Sequence, residues 1–238
     1  MYDNPLQEAR RQVEICNACR YCEGYCSVFP TITSERAFSD GDITHLANLC
    51  HNCRGCYYAC QYTDPHEFDL NLPKALAEVR HDSWKQHAWP TSFSVLFDRS
   101  GVMLAGLSVL VTTGLFYIIA NFELGGGDGF YAYITHSVLV AIFAPVFLLP
   151  LIAMGISLRS YWRETGSGTI YISDLRAAFA YAAQMKNLKG GHGDGCNFEA
   201  EDAFTPWRRW FHHFTLYGFL LCFASTSSGT VLHYVFDM

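Results

Sequence analysis

Charged residues are scarce in this chain of 238 residues, at 16% of the total, against roughly 25% in ordinary soluble domains. Basic residues are outnumbered, and the formal net charge of −6 argues against a nucleic-acid-binding protein. The chain also lacks the Rossmann glycine fingerprint, so it is not expected to bind FAD or NAD itself. Apolar residues make up 50% and aromatic residues 16%, a composition that excludes intrinsic disorder.

Charge is missing altogether from three long stretches. Residues 100–122, 130–158 and 210–236 contain no Asp, Glu, Lys or Arg. Each stretch has at least 20 residues, which as a helix crosses a hydrocarbon core about 30 Å thick. The alternative, three buried helices of a soluble core, is disfavoured because soluble helices rarely run this long without a charge. The sequence therefore predicts three membrane spans.

The positions of the basic residues predict the topology. All 16 Lys and Arg residues lie in residues 1–99 or 159–209. With three spans both segments fall on one side, which the positive-inside rule assigns to the cytoplasm. The loop 121–129 and the C-terminus then face the periplasm or its equivalent. The first residues are polar, so no signal peptide is expected. The chain is expected either to be a fragment or to pair with other subunits, which include further copies of itself.

Eight of the ten cysteines lie in the first sixty residues, in two copies of one motif. Both copies read C-x₂-C-x₂-C-x₃-C. In two-cluster ferredoxins the fourth cysteine of such a motif ligates the other cluster. The spacing therefore predicts two [4Fe–4S] clusters with crossed ligation. The first set is Cys16, Cys19, Cys22 and Cys60, and the second set is Cys50, Cys53, Cys56 and Cys26.

These cysteines have three alternative uses. Zinc sites usually need paired C-x₂-C units, so the third cysteine of each motif is surplus. Disulfides need an oxidising compartment, which a cytoplasmic domain does not offer. A single cluster with spare thiols remains the third alternative. The duplicated pattern favours two clusters over all three.

The flanking sequences predict helices rather than strands. Residues 7–15 have a helical pattern that ends in the first motif, and Ile43, Leu46 and Leu49 keep helical spacing into the second. The fold class expected is therefore all-α. A cytoplasmic, ferredoxin-like two-cluster domain at 1–80 is followed by a connecting segment at 81–99 and a transmembrane bundle. Aromatic residues in the motifs form either a dry shell around the clusters or ordinary core packing.

Two histidines lie inside the predicted spans, where a polar side chain is costly and marks a candidate functional site. His136 is expected about six residues, roughly 9 Å, from the outer end of the second span. His233 is expected roughly 5 Å from the outer end of the third. Similar depths predict a bis-histidine haem b site. The alternative is an interfacial His233 and a His136 that bonds another helix.

Other candidate residues lie near the inner side. His212 and His213 begin the third span and are interpreted as an interfacial pair, with ligation of a second haem as the alternative. In the loop 159–209, His192 and Cys196 stand in a glycine-rich GGHGDGC segment that binds a metal, a quinone headgroup or a partner, or is simply flexible. Residues 173–188 before it predict an amphipathic helix on the membrane surface. Cys222 is expected to act as a small apolar residue.

Several segments together resemble the citrate/tricarballylate-utilisation protein B family of bacteria. They are CNACRYCEGYC, LCHNCRGCYYACQYT, PHEFDLNLPKALAEVR, the uncharged span around His136, MKNLKGGHGDGCNFEAED, and YGFLLCFASTS with His233. The resemblance implies an inner-membrane protein with two [4Fe–4S] clusters and haem. It also implies that the protein reoxidises a partner flavoprotein dehydrogenase acting on tricarballylate, and reduces quinone. Members of the family look longer, with further transmembrane helices.

Two other function classes compete with electron transfer. A membrane thiol or disulfide reductase like the heterodisulfide reductases would need a substrate-facing CCG pair, which this chain lacks. A redox sensor would join its cluster to a DNA-binding or signalling part, and none is visible. The sequence therefore favours an electron-transfer subunit that passes electrons from a flavoprotein through the clusters and haem b to quinone. No catalytic residue is assigned to the chain, and whether it acts as an enzyme is left open.

Overall fold

Helices account for all the regular secondary structure that the computed structural model describes, which covers residues 4–121, 133–166, 168–186, 188 and 207–236. The helices are α1 (Pro5–Cys19), α2 (Val28–Ser34), α3 (Asp40–Leu49), α4 (Gly55–Tyr58), α5 (Leu72–His87), α6 (Thr91–Asn121), α7 (His136–Glu164), α8 (Ile172–Gln184) and α9 (Trp207–Phe236). No extended strand occurs in these residues. The described part of the chain is thus all-α, as the sequence predicts.

The chain divides into two compact units, and each is described by itself. One unit comprises residues 1–79 and 168–238, and the other comprises residues 80–167. The buried core of the first unit lies in its N-terminal part, where α1, α2 and α3 pack together with the start of α5. This part carries all eight motif cysteines.

The helices of this N-terminal part begin where the local sequence specifies. The side chain of Asn4 accepts a hydrogen bond from the backbone N–H of Leu6 at 3.0 Å, and Pro5 occupies the first helical position of α1. At α3, Ser39 and Asp42 form a capping box, in which the Ser39 N–H donates to the Asp42 carboxylate at 2.8 Å. These caps set the start, and hence the register, of the two helices that lead into the motifs.

A buried glutamine ties α1 to the segment before α5. Gln12 accepts a hydrogen bond from the backbone N–H of Asn71 at 3.0 Å and donates to Glu8 at 2.7 Å. Arg11 donates to the backbone carbonyl of Phe68 at 3.1 Å and also pairs with Glu8. The hydrogen bond from Arg11 lowers the pKa of Glu8. These hydrogen bonds therefore hold the segment between the second motif and α5 against α1.

Three helices are long and apolar enough to cross a membrane: α6 (Thr91–Asn121), α7 (His136–Glu164) and residues Arg209–Phe236 of α9. Their apolar stretches are exposed in this single chain, which is the exposure that lipid-facing helices show. α6 departs from helical geometry at Ser100 (φ −145°, ψ 34°), just where the predicted span begins. α7 contains Pro145 and Pro150.

The second unit contains a polar contact between the end of α5 and the end of α7. The ring of His87 is buried, with Nδ1 at 2.9 Å from the hydroxyl of Ser160 and Nε2 at 3.2 Å from the carboxylate of Glu164. Gln86 donates to the same carboxylate at 2.7 Å, and the N–H of Trp89 donates to Ser157 at 3.1 Å. The segment 81–99, predicted as a connector, is largely helical, because the end of α5 and the start of α6 lie within it. The hydrogen bonds of Gln86, His87 and Trp89 anchor it to α7.

Candidate functional site

The first cysteine motif is placed by the buried face of α1. Leu6, Ala9 and Val13 follow one another at helical spacing and pack in the core, and Cys16 continues the same stripe. α1 ends at Cys19, where Arg20 closes the helix in the left-handed conformation (φ 55°). The helix thereby presents Cys16 at the edge of the core and turns the chain sharply between the second and third cysteines.

The second motif repeats this arrangement after α3. Ile43, Leu46 and Ala47 are buried, and Cys50 follows as the C-cap residue of the helix. Asn52 (φ 54°) and Arg54 (φ 63°) adopt the left-handed conformation between the cysteines. Arg54 therefore occupies the same position and conformation in the second motif as Arg20 does in the first.

A cavity of about 180 Å³ opens among the cysteines of the first motif. It is lined by Cys16, Cys19, Cys22 and Cys60, and Cys56 also borders it. The remaining lining is largely aromatic and apolar, from Tyr21, Phe29, Tyr57, Tyr62, Leu70, Leu72 and Pro73 among others. This cavity brings together the four cysteines predicted as the first set.

A second, smaller cavity of about 30 Å³ lies among the remaining cysteines. Cys26, Cys50, Cys53 and Cys56 line it, which is the membership predicted for the second set. His51 and Arg54 line it as well, whereas the lining of the first cavity includes no basic residue. Cys56 borders both cavities, a shared position that the sequence did not indicate.

Burial raises the pKa of several thiols in these cavities. The pKa of Cys16 is about 12 and that of Cys22 about 11, with desolvation the first cause and the neighbouring thiolate of Cys60 the next. Burial also raises the pKa of Cys56, and there the thiolate of Cys26 has the next largest effect. Thiols in this setting stay protonated unless a bound cation stabilises their thiolates.

Backbone N–H groups lie close to several of the sulfur atoms. Burial raises the pKa of Cys26, and the backbone N–H groups of Val28 and Phe29 act against that rise. The N–H of Asn52 lies 3.4 Å from the sulfur of Cys50, and the N–H of Tyr62 lies 3.4 Å from that of Cys60. Such donors stabilise negative charge on sulfur, as a thiolate or as the ligand of a metal cluster.

The aromatic residues of the motifs divide between the two roles considered for them. Phe29 is buried in the core and also lines the first cavity, together with Tyr57 and Tyr62. Tyr21 also lines the first cavity but is 67% exposed, and Tyr58 is 63% exposed. Phe29, Tyr57 and Tyr62 therefore shield the first cavity, while Tyr21 borders it at the protein surface.

The two candidate haem ligands lie near the ends of their helices. His136 is the first residue of α7, with Thr135 as its N-cap, instead of lying about six residues inside a helix that starts at 130. His233 stands three residues before the end of α9 at Phe236. His136 belongs to one unit and His233 to the other, so their pairing stays a prediction.

Of the remaining candidates, the structure describes the contacts of His213 in most detail. The Nε2 of His213 lies 3.1 Å from the backbone carbonyl of Ala183 in α8, and the ring of His213 stacks on Tyr217. The hydroxyl of Tyr217 donates to the same carbonyl at 2.9 Å. These contacts favour the interfacial interpretation of His213. Cys222 is exposed on α9, and His192 and Cys196 lie outside the described residues.

These features define a class: an α-helical protein in which a ferredoxin-like cysteine domain is joined to helices fit to cross a membrane. Residues 9–89 match the family described as "Citrate utilization protein B Fer4-like domain", and residues 94–238 match "Citrate utilization protein B". The chain belongs to the citrate utilization protein B family. The match to the Fer4-like domain indicates an iron–sulfur protein.

A similar protein from Escherichia coli carries the name "Citrate utilization protein B". It is 44% identical to this chain over 237 residues, which cover 97% of this chain. The chain spans 62% of the length of that relative. No solved structure matches the chain.

Proposed function

We propose that this chain is a membrane-bound electron-transfer protein. It takes electrons from a partner flavoprotein dehydrogenase of citrate or tricarballylate catabolism and passes them through two [4Fe–4S] clusters and haem b to quinone. The observation that carries the proposal is the pair of cavities: each is lined by three cysteines of one motif and the fourth cysteine of the other, and Cys56 borders the first cavity in addition. That pairing is the ligand arrangement of two-cluster ferredoxins.

The donor chemistry of the two cavities fits iron–sulfur clusters. All eight motif residues are cysteines, which are the usual ligands of [4Fe–4S] clusters. Among the described residues, no three His, Cys, Asp or Glu side chains converge tightly enough to hold a single metal ion. Thiols spread around a cavity suit a group with several irons better than one zinc ion. When bound, the clusters supply one-electron carriers, and the chain supplies their ligands and a largely apolar surrounding.

The placement of these groups follows from the charge pattern. The basic segments 1–99 and 159–209 are proposed to face the bacterial cytoplasm, with the cluster domain on that side of the inner membrane. His136 and His233 are the proposed haem ligands. His136 begins the candidate span α7, and His233 lies near the C-terminal end of the candidate span α9. Quinone is the proposed acceptor because it dissolves in the membrane that the three long helices are fit to enter.

Anaerobic mixing of the full chain in lipid nanodiscs with pre-reduced flavoprotein tests this function. Flavin oxidation is followed by absorbance, together with bleaching of the cluster bands and the rise of a reduced haem band. The proposal expects flavin oxidation to be accompanied by reduction of the chain, and expects added quinone to restore its oxidised spectrum. Reduced flavin that stays reduced beside a fully loaded chain would contradict the proposal.

The surface near the first cavity is proposed to dock the flavoprotein. Cys19 is exposed, Tyr21 beside it is 67% exposed, and Arg20 stands between them. Arg20 does not line the cavity, and its Nε donates to the backbone carbonyl of Asn17 at 3.0 Å. An exposed charge at the edge of an interface chiefly sets the rate of encounter and its salt dependence.

Arg20→Glu is therefore expected to slow flavin reoxidation severalfold at low ionic strength, with a smaller loss at high salt. Stopped-flow mixing at several salt concentrations measures the effect. Arg176→Glu, which reverses an exposed charge on α8, is the matched control and is expected to change the rate little. An unchanged salt dependence in Arg20→Glu would rule out a docking role for this arginine.

A further inference from the structure

We propose that the second set, Cys26, Cys50, Cys53 and Cys56, holds the cluster of higher reduction potential, and that Arg54 is the side chain that raises it. This inference rests on the proposed function, and it gives the electron path a direction. Electrons arrive at the first set and leave from the second. Each transfer between the sets moves one electron and no proton.

Side-chain charge differs between the two cavities. Arg54 and His51 line the second cavity, and the lining of the first is apolar and aromatic apart from Gln61 and the cysteines. A guanidinium beside a cluster interacts more favourably with the reduced form, because that form is more negative. The matching arginine of the first motif, Arg20, is turned to the carbonyl of Asn17 and does not line the first cavity. This charge difference therefore raises the potential of the second set relative to the first.

The direction matches the docking surface. The first set reaches the surface at Cys19, beside the exposed Tyr21 and Arg20. A flavoprotein bound there delivers electrons to the set of lower potential, from which transfer to the second set runs downhill. Arg20 and Arg54, equivalent in the two motifs, are thereby assigned different roles: the first in docking, the second in setting a potential.

An anaerobic redox titration of the full chain, monitored by EPR, tests the inference with Arg54→Asn. Asparagine keeps the left-handed backbone that Arg54 adopts (φ 63°) and removes the charge. The wild type is expected to show two midpoint potentials, and Arg54→Asn is expected to lower the higher one. The equilibrium constant for electron transfer from the first set to the second then falls severalfold, and a tenfold fall corresponds to about 59 mV. Arg54→Lys, which keeps the charge, is expected to restore most of the difference.

Arg20→Asn is the matched control, because it removes the same charge from the same backbone conformation at the first motif. It is expected to shift either midpoint less than Arg54→Asn shifts the higher one. Iron and sulfide analysis of each variant checks that both clusters are loaded. If Arg54→Asn does not load, His51→Glu adds negative charge to the same cavity and is expected to lower the same midpoint.

Two results would overturn the inference: a charge change at the second cavity that moves the lower midpoint, or one that moves neither. A wild-type chain that holds no clusters would instead contradict the proposed function itself. The two failures are distinguished by the metal analysis before any potential is measured.

Discussion

Cys60→Ser is expected to remove the cluster held by Cys16, Cys19 and Cys22, although Cys60 belongs to the other motif. Cys60 lines the first cavity and does not line the second. After burial, its thiolate is the largest influence that raises the pKa of both Cys16 and Cys22. A serine hydroxyl is a much weaker iron ligand than a thiolate, so roughly half of the bound iron and sulfide should be lost. Metal analysis and EPR of the reduced protein measure the loss.

Cys26→Ser is the mirror variant and serves as the matched control. Cys26 lines the second cavity, and its pKa responds to Cys53 and Cys50. It is expected to remove the cluster whose midpoint responds to Arg54→Asn and to leave the other intact. Cys222→Ser, on α9, should leave both clusters in place because Cys222 lines neither cavity. If Cys60→Ser instead removed the cluster of Cys50, Cys53 and Cys56, crossed ligation would be wrong.

His136→Ala is expected to abolish a low-spin b-type haem spectrum while leaving the cluster signals intact. An imidazole that ligates haem iron as one of two axial ligands leaves a vacant position when it is truncated to a methyl group. His136 stands at the start of α7, outside the N-terminal part that carries both cysteine cavities. Absorption difference spectra of membranes containing wild type or variant measure the haem.

His213→Ala is the matched control for the haem experiment. The ring of His213 already contacts the Ala183 carbonyl and stacks on Tyr217, so its removal should disturb the approach of α8 to α9 rather than the haem. A full haem signal in His136→Ala would rule out His136 as a ligand. Loss of the signal in His213→Ala would assign ligation to the inner end of α9 instead.

The elements that the sequence predicts best are those with a strong local signal. Apolar stretches without charge predict α6, α7 and α9, because few other structures accommodate twenty or more such residues. The stripe that runs from Leu6 to Cys16 predicts α1, and the Ser39–Asp42 pair marks the start of α3. The membership of the two cysteine sets is predicted from their spacing, and each cavity is lined by its predicted set, with Cys56 bordering the first cavity as well.

Features that depend on side-chain direction or on helix ends are harder to predict. His136 begins α7 because Thr135 and the residues just before it are not helical, and no proline or glycine near it marks that boundary. Arg20 and Arg54 look equivalent in sequence, yet one is turned to Asn17 and the other lines a cavity. The contact of His87 with Ser160 and Glu164 joins residues more than seventy positions apart, which local patterns do not show.

Iron and acid-labile sulfide analysis of the anaerobically purified chain, with its spectrum before and after dithionite, tests the central claim most directly. Two cubes held by eight cysteines predict about eight irons and about eight sulfides per chain, apart from haem iron. The broad absorption of the oxidised clusters should bleach on reduction. About four of each would mean one cluster with spare thiols. Zinc, or no metal, in a protein with intact cysteines would contradict the account.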